Sequence, residues 1–474
     1  MMNNNLLLLP VIFLVFVSNQ NQLKKEIESP KQMNILLITA DDLGKQVSCY
    51  GDDIIETPNI DKLAKSGMIF HNAYVTQASC SSSRSSILTG IYPHTNGQMG
   101  LASGFKLNQE YQNLAISLKA KGYTTGIIGK LHVNPADQFP FDYEKKDFNE
   151  TRDVELVVRR AEDFIRSSGT SPFFLYLNYT DPHVPFFREV KGRPLNPVNS
   201  ADVHGFEFQG IDDPGQLQRI ADYYCCVRRL DEGIGLLMNK LNELGVLDNT
   251  MIIFIGDHGA PFARGKTACY ESSVNIPFIV SCPEFIKSNQ ESNALVSTVD
   301  IFPTIMDAMG NSYPKEVQGK SLMPVLSDEQ KSVRQYLFTE YNYHGKSLNH
   351  FYPRRTIRDD RYKLIINLAT NQITNGILGV DGDKAYTYSQ SPKYDNTWVR
   401  VIFDRLKMPP GIEFFDLKKD PFEKNNLAGD TEYTGKMEEL SNELYQWMES
   451  TNDPFFSMEN VHEQIKILKK ENNN

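Results

Sequence analysis

The chain has 474 residues, room for two or three domains of ordinary size. Hydrophobic residues make up 40% and charged residues 23%, which excludes a disordered chain, a collagen and a polytopic membrane protein. Lys plus Arg number 49 against 59 Asp plus Glu, a net charge of −10. That is the wrong sign for a nonspecific nucleic-acid binder, so an anionic substrate must meet a local cluster of cations.

The first element is an uncharged apolar run, LLLLPVIFLVFV, from Leu6 to Val17. It is too short to span a bilayer comfortably and reads as the apolar core of a signal peptide covering residues 1–22. The mature chain is then expected to start between Ser18 and Gln32, in a secreted or periplasmic setting. No cysteine follows the run, which argues against a lipoprotein. The six cysteines, Cys49, Cys80, Cys225, Cys226, Cys269 and Cys282, are too few for a disulfide scaffold and contain no C-x-x-C pair. Cys225 and Cys226 sit in a helical pattern and read as small buried hydrophobes.

The folded part begins with an apolar run, Asn34 to Thr39, followed by Ala40-Asp41-Asp42. Thr57-Pro58 opens a helix that Gly67 closes. Cys80-Ser81-Ser82-Ser83-Arg84 leads into Ser86 to Gly90, which reads as a helix start. A helix over Tyr111 to Lys121 precedes the run Thr124 to Ile128, and Gly129-Lys130-Leu131-His132 follows that run. A helix from Val154 to Ile165 comes before Phe173 to Leu177, which is followed by Asn178 and Asp181-Pro182-His183. A long amphipathic helix, Gln216 to Leu244, ends at Gly245 and precedes Met251 to Ile255, then Gly256-Asp257-His258-Gly259.

Continuous apolar runs of this length suit strands buried on both faces. Their alternation with helices predicts an α/β fold: a doubly wound, mostly parallel sheet sandwiched by helices. Beyond about Leu326 the texture changes. Gln335–Tyr341, Tyr362–Leu368 and Glu413–Leu417 read as short strands and Gly435–Ser450 as a closing helix. They predict a smaller C-terminal α+β domain with an antiparallel sheet, over 334–474, after a catalytic domain over 33–333.

In a doubly wound sheet the ligand site lies at the carboxyl ends of the strands, and the four polar clusters that follow the long runs fall there. Taken alone, Asp41-Asp42 reads as a cap or a solvated turn. Together with Asp257 it could offer hard oxygen ligands to Ca²⁺ or Mg²⁺. His258 is an unusual neighbour for calcium, since imidazole suits transition metals better. The Cys80–Arg84 stretch reads either as a Ser-rich loop with a buried thiol or as a nucleophile at an anion-binding helix start, with Arg84 clamping an oxyanion. Lys130, His132, His183 and Lys266 could stabilise a tetrahedral anion and move protons.

As a set these motifs resemble the type I, formylglycine-dependent sulfatases of the alkaline-phosphatase superfamily. The family signature C-x-P-S-R appears as Cys80-Ser81-Ser82-Ser83-Arg84, continuing to Thr89-Gly90. NILLITADDLG (34–44), ETPNIDKLAKSGMIFHNAY (56–74), GIIGKLH (126–132), DPH (181–183), GDHG (256–259) and DLKKDPFEKNNLA (416–428) match the same family. GIIGKLHVNP and GDHGAPFARGKT are most similar to its heparan N-sulfatase branch.

The resemblance implies that a maturation enzyme oxidises Cys80 to formylglycine, whose hydrate attacks sulfur. It implies one Ca²⁺ held by Asp41, Asp42, Asp257 and the modified Cys80, with His258 standing where many relatives carry Asn. Arg84 and Lys130 would hold the formylglycine hydroxyl and the sulfate, and Lys266 a sulfate oxygen. His132 would take a proton from the second hydroxyl and His183 would protonate the leaving group. Ser82 departs from the Pro or Ala that the maturation machinery reads at that position. The expected substrate is a sulfated oligosaccharide or polysaccharide, either algal in type (ulvan, carrageenan, fucoidan) or heparan-type N-sulfoglucosamine. Two other readings remain on the same scaffold, a phosphonate monoester hydrolase or phosphodiesterase and a non-catalytic glycan-binding relative.

Overall fold

The computed structural model describes residues 33–344, 351–369 and 378–456; the expected signal peptide lies outside the described residues. From Met33 onward the chain forms one compact unit. Its strands, in chain order, are β1 (Asn34–Ala40), β2 (Met68–Phe70), β3 (Ala73–Tyr74), β4 (Thr124–Ile128), β5 (Tyr143–Lys145), β6 (Phe173–Tyr179) and β7 (Thr250–Gly256). These are followed by β8 (Phe278–Ser281), β9 (Gln290–Ser292), β10 (Val296–Ser297), β11 (Leu337–Tyr341), β12 (Arg354–Arg358), β13 (Tyr362–Asn367) and β14 (Ile412–Asp416).

Eight strands form the main sheet in the order β5-β4-β6-β1-β7-β8-β2-β9. Within it only β8 runs against the others. β3 and β10 make a short parallel pair. Every residue of β1, β6 and β7 is buried, and alternate side chains serve two different cores. Ile35, Leu37, Tyr176 and Ile253 face a layer built on Ile87, Leu114, Leu118 and Phe302. Leu36, Ile38, Leu175 and Phe254 face the opposite layer, with Ile60, Val157, Phe164 and Leu230. A strand covered by helices on both sides has no polar face to show, which is why these runs are apolar at every position.

The second sheet is antiparallel, in the order β11-β12-β13-β14. The helix Thr434–Ser450 covers it through Leu440, Leu444, Trp447 and Met448, with Trp447 stacked on Phe338 at 4.8 Å. Its strand β12, RRTIR, has no apolar periodicity and was not expected from the sequence, yet all five residues are buried. Two of its three arginines are paired with partners distant in the chain, Arg355 with Asp453 and Arg358 with Glu271 at 2.8 Å, while Arg354 packs over the Tyr341 and Tyr352 rings. The helix Trp398–Lys407 was likewise not expected.

Local signals were partly misread. Helix α1 (Pro58–Lys65) has Pro58 in its first turn, but Thr57 does not cap it; the Thr57 hydroxyl accepts a hydrogen bond from the Ser48 amide at 3.0 Å. Gly67 is required for packing, since a Cβ there would lie 2.1 Å from the Val280 carbonyl oxygen. Gly245 does end the long helix Pro214–Glu243 in the left-handed region, at φ 69°. The helix expected over Tyr111–Lys121 is shorter, Leu114–Lys119, because Asn113 caps it by accepting from the Ile116 amide. The largest revision is helix α2, which spans Cys80–Thr89 and begins six residues before the expected start at Ser86. Cys80 is therefore the first residue of a helix.

Gly129 links this framework to the polar clusters. It leaves β4 at φ 85°, and a Cβ there would sit 2.2 Å from the Asn178 carbonyl oxygen. Left-handed strain of about 1–2 kcal/mol and overpacking of about 1–3 kcal/mol should combine. Gly129→Ala is expected to lower the unfolding free energy by about 2–5 kcal/mol, read from urea denaturation. A loss below about 0.5 kcal/mol would show that the turn has room to relax.

Candidate active site

β4, β6, β1 and β7 are neighbours in that order and all run parallel, so their carboxyl ends meet along one edge. Lys130 follows β4, Asp181 and His183 follow β6, Asp41 and Asp42 follow β1, and Asp257 and His258 follow β7. The pairing continues one step past the strands: the Asp257 amide donates to the Ala40 carbonyl at 3.0 Å and the Asp41 amide to Tyr179 at 3.1 Å. Asp42 then turns into the left-handed region at φ 67°, and its amide donates to Asp257 Oδ1 at 2.9 Å. Asp41, Asp42, Asp257 and His258 are fully buried.

Helix α2 enters from the side with its N-terminus aimed at these carboxylates. Cys80 Sγ lies 3.1 Å from His258 Nε2. Arg84, one turn further along, is also fully buried. Its Nε donates to Asp257 Oδ2 at 3.0 Å and its Nη2 lies 3.4 Å from Asp41 Oδ1. Its Nη1 donates to the Lys130 carbonyl at 3.0 Å and to Asn178 Oδ1 at 2.5 Å. Lys130 Nζ pairs with Asp41 at 2.7 Å, and Lys266 Nζ with Asp42 at 3.0 Å and Asp381 at 2.7 Å.

The electrostatics follow from burial and these pairs. Burial would raise Asp41, but Lys130, His183 and Arg84 together hold it well below the usual carboxylate range. Burial prevails at Asp42 and Asp257, whose carboxyls are raised. Burial disfavours the Cys80 thiolate, yet Lys130, Lys266 and His258 outweigh it and bring the thiol well below its ordinary value. His258 is likewise desolvated, but Asp257, Cys80 and Asp42 push it up to about 10. Buried acids and buried cations are thus interleaved at the ends of the four strands.

The donor set fits a divalent ion. Ligand atoms of Asp41, Cys80, Asp257 and His258 lie within 4.8 Å of one another, and an overlapping group joins Asp42, Cys80 and His183. Asp42 Oδ1 is buried without a well-directed hydrogen bond, although Lys266 Nζ is 3.0 Å away and His258 Nε2 3.2 Å. His258 Nδ1 lies 3.0 Å from the Gly259 carbonyl, to which it donates, and Nε2 faces Asp42 at 3.2 Å; once an ion displaces the Nε2 proton, that nitrogen is oriented to ligate it.

Toward solvent the floor opens into a cleft of about 580 Å³ lined by Lys130, His132, Phe148 and His183. His183 Nδ1 faces the Val184 carbonyl, and its Nε2 is 3.9 Å from Asp42 Oδ2. The preceding Asp181 is clamped by Arg152 and Arg229, each at 2.7 Å, which fixes the turn that carries His183. His132 lines the cleft rather than the floor, and its buried Nδ1 has no hydrogen-bond partner.

The structure thus gathers Asp41, Asp42, Cys80, Arg84, Lys130, His183, Asp257, His258 and Lys266, with His132 at the side. Sequence reasoning missed Asn178, Asp381 and His344, whose Nδ1 lies 3.0 Å from Ser79 Oγ. Asn178 carried a readable signal, a polar residue inside the buried strand FFLYLNY. Asp381 and His344 carried none, because they reach the site only through the fold.

A family model described as sulfatase matches residues 33–311, and one described as N-sulphoglucosamine sulphohydrolase, C-terminal, matches residues 256–378. Human N-sulphoglucosamine sulphohydrolase is 30% identical over 89% of this chain and 91% of its own length. An ulvan-active sulfatase of Formosa agariphila is 26% identical, covering 92% of this chain and 84% of its own. A solved structure of a protein in complex with its substrate D-glucosamine-2-N,6-O-disulfate superposes with a TM-score of 0.66 at 23% identity, over 89% of this chain and 99% of that one. The chain belongs to the sulfatase family, on an alkaline-phosphatase-like fold, and the second matching model places it beside the heparan N-sulfatase branch. It is an enzyme of the sulfuric ester hydrolase class.

Burial raises the Asp42 and Asp257 carboxyls despite their cationic partners, so a bound divalent cation should stabilise the folded state further. Adding Ca²⁺ to chelated protein at about a hundredfold over its Kd should raise the unfolding free energy by about 2.7 kcal/mol. Asp257→Asn should abolish most of that gain. An unfolding curve unmoved by chelation and by Ca²⁺, with elemental analysis confirming removal, would count against the site.

Proposed function

We propose that this enzyme removes sulfate groups from sulfated sugars, using Cys80 in its formylglycine form and one Ca²⁺ held by Asp41, Asp42, Asp257, His258 and residue 80. The observation that carries this reading is the placement of Cys80 on the first turn of α2, with its sulfur 3.1 Å from His258 among the buried acids. Oxidation of Cys80 by a maturation enzyme supplies a hydrated aldehyde as the oxygen nucleophile, and the cation supplies Lewis acidity beside it. The chain's own residues do the rest. Arg84 fixes Asp41 and Asp257 in place, while Lys130 and Lys266 offset the charge of the tetrahedral anion. His132, free at Nδ1, can accept a proton from the hydroxyl at residue 80. His183 presents Nε2 to the cleft and donates a proton to the departing sugar atom.

For the substrate, the human relative and the matching C-terminal model support heparan-type N-sulfoglucosamine, and the Formosa relative supports an algal polysaccharide. A catalytic domain over 33–333 would hold all of these catalytic and metal groups, and a smaller domain over 334–474 would add His344 and Asp381. The apolar run at 6–17 supports a secreted or periplasmic enzyme.

Cys80→Ala should leave the fold intact and reduce kcat to below about a tenth of the wild-type value, in practice to background, since a covalent catalyst has no substitute. Mass analysis of the peptide carrying Cys80 should show formylglycine, and an unmodified thiol in active enzyme would exclude this chemistry. For His183, a sugar alkoxide is a poor leaving group and a nitrophenolate a good one. His183→Ala should cost about 10²-fold on a sulfated sugar and far less on nitrophenyl sulfate. Equal losses on the two would reduce His183 to a structural part of its turn.

A further inference from the structure

The loop around Val380–Gly382 brings a carboxylate from the C-terminal part of the chain into the site, and several contacts hold it there. Asp381 lies in the left-handed region at φ 51°, a conformation that only surrounding structure maintains in a non-glycine residue. Its carbonyl accepts from Arg219 Nη2 at 2.9 Å. The Arg219 guanidinium packs against the rings of Phe186 and Phe262, 4.9 and 5.1 Å from their centres. Two residues on, Asp383 accepts from the Ala263 amide at 2.7 Å and from Gln209 Nε2 at 3.0 Å. The loop is therefore a built part of the site.

Neutralising Lys266 does not explain Asp381. Asp42 already pairs with the same ammonium, at 3.0 Å against 2.7 Å for Asp381. The two carboxylates differ in where they sit. Asp42 is fully buried, whereas the Asp381 side chain retains 21% exposure, close to the 19% of His183. His183 lines the cleft, and Lys266, which carries Asp381, approaches the same Asp42 Oδ2 as His183, at 3.2 and 3.9 Å, so Asp381 and His183 flank the partly exposed side of the floor, its mouth, where the sugar would lie.

Chemistry then decides what a carboxylate at the mouth selects. An O-sulfate ester offers only lone pairs at the atom joining sugar to sulfur. An N-sulfate offers an N–H donor at that atom, which is two bonds from every sulfate oxygen. With one sulfate oxygen on Lys266, the joining atom falls within reach of the carboxylate that shares that ammonium. We propose that Asp381 is a specificity-determining residue: it accepts a hydrogen bond from the N–H of an N-sulfated amino sugar and disfavours the oxygen of a sulfate ester at the same position. This rests on the sulfatase reading, with Lys266 taking a sulfate oxygen. Lys266 keeps Asp381 ionised, holding its carboxyl below the usual range against the effect of burial.

The test is a matched pair of substrates, N-sulfoglucosamine and glucose 2-sulfate, which differ at the joining atom. The full-length matured enzyme and its Asp381→Asn and Asp381→Ala variants are compared by the ratio of kcat/KM for the two. The alanine variant should lower the N-to-O ratio about 10²-fold, because a site that loses its partner for a substrate N–H loses discrimination. The asparagine variant, which keeps a neutral acceptor, should lower it about tenfold. It also tests the idea should the alanine variant fail to fold. Equal losses on both substrates would overturn the proposal and leave Asp381 as a positioning partner of Lys266, as would a wild-type preference for the ester. If the wild type turns over neither sugar, the N-sulfoglucosamine substrate fails, and sulfate release from other sulfated oligosaccharides tests the sulfatase reading separately. Calorimetric binding of the same pair then decides the contact: weaker N-sulfoglucosamine binding specific to the variants supports it, and unchanged relative affinities refute it.

Discussion

Arg84 is fully buried and reaches Asp257 through Nε at 3.0 Å and Asp41 through Nη2 at 3.4 Å, while its Nη1 ties the backbone of Lys130 and the amide of Asn178. Through it a single guanidinium touches the ends of β1, β4, β6 and β7. Buried carboxylates are costly unless paired, and removing one partner of such a pair typically costs about 3–5 kcal/mol. The parallel sheet brings Asp41, Asp42 and Asp257 together whether or not their charges are compatible. Arg84, Lys130 and Lys266 make that arrangement tolerable, and α2 must therefore dock where it does. Placing Cys80 at its first turn follows from the same docking.

A floor built this way is rigid before any substrate arrives. Its groups are held by strand ends, by a helix start and by ion pairs in a region with little water, where fixed charges act strongly and need no reorganisation. The mouth differs in kind. His183 rides on a turn clamped by Arg152 and Arg229, and Asp381 rides on a loop clamped by Arg219. On the function proposed above, the chemistry of the sulfate group belongs to the floor. The choice of the group attached to it belongs to the rim, where loops can vary without disturbing the sheet.

The second sheet contributes more than a cover for the first. Its charged strand β12 is buried because Asp453 and Glu271 answer Arg355 and Arg358. Glu271 lies on the short helix Glu271–Val274, just after Lys266, so the same ion pairs that seat the small sheet also steady the segment carrying an active-site lysine. Packing of the small sheet and placement of the Lys266 segment thus share the same ion pairs.

The sequence by itself determined the layered α/β fold and most of the floor. Each of β1, β4, β6 and β7 is a local apolar run ending in a local polar cluster, and a strand buried on both faces leaves no other pattern to write. Asp41, Asp42, Lys130, His183, Asp257 and His258 were legible for that reason, and Cys80 with Arg84 because their spacing is local. Only the tertiary structure decided that α2 starts at Cys80, since the helix forms against carboxylates that its own sequence does not contain. It alone decided that RRTIR is a buried strand, because the charges that neutralise it lie about 80 to 100 residues away. It alone brought Asp381 and His344 to the site. Charge compensation between distant segments leaves no periodicity in either of them, so it becomes visible only when the chain has folded.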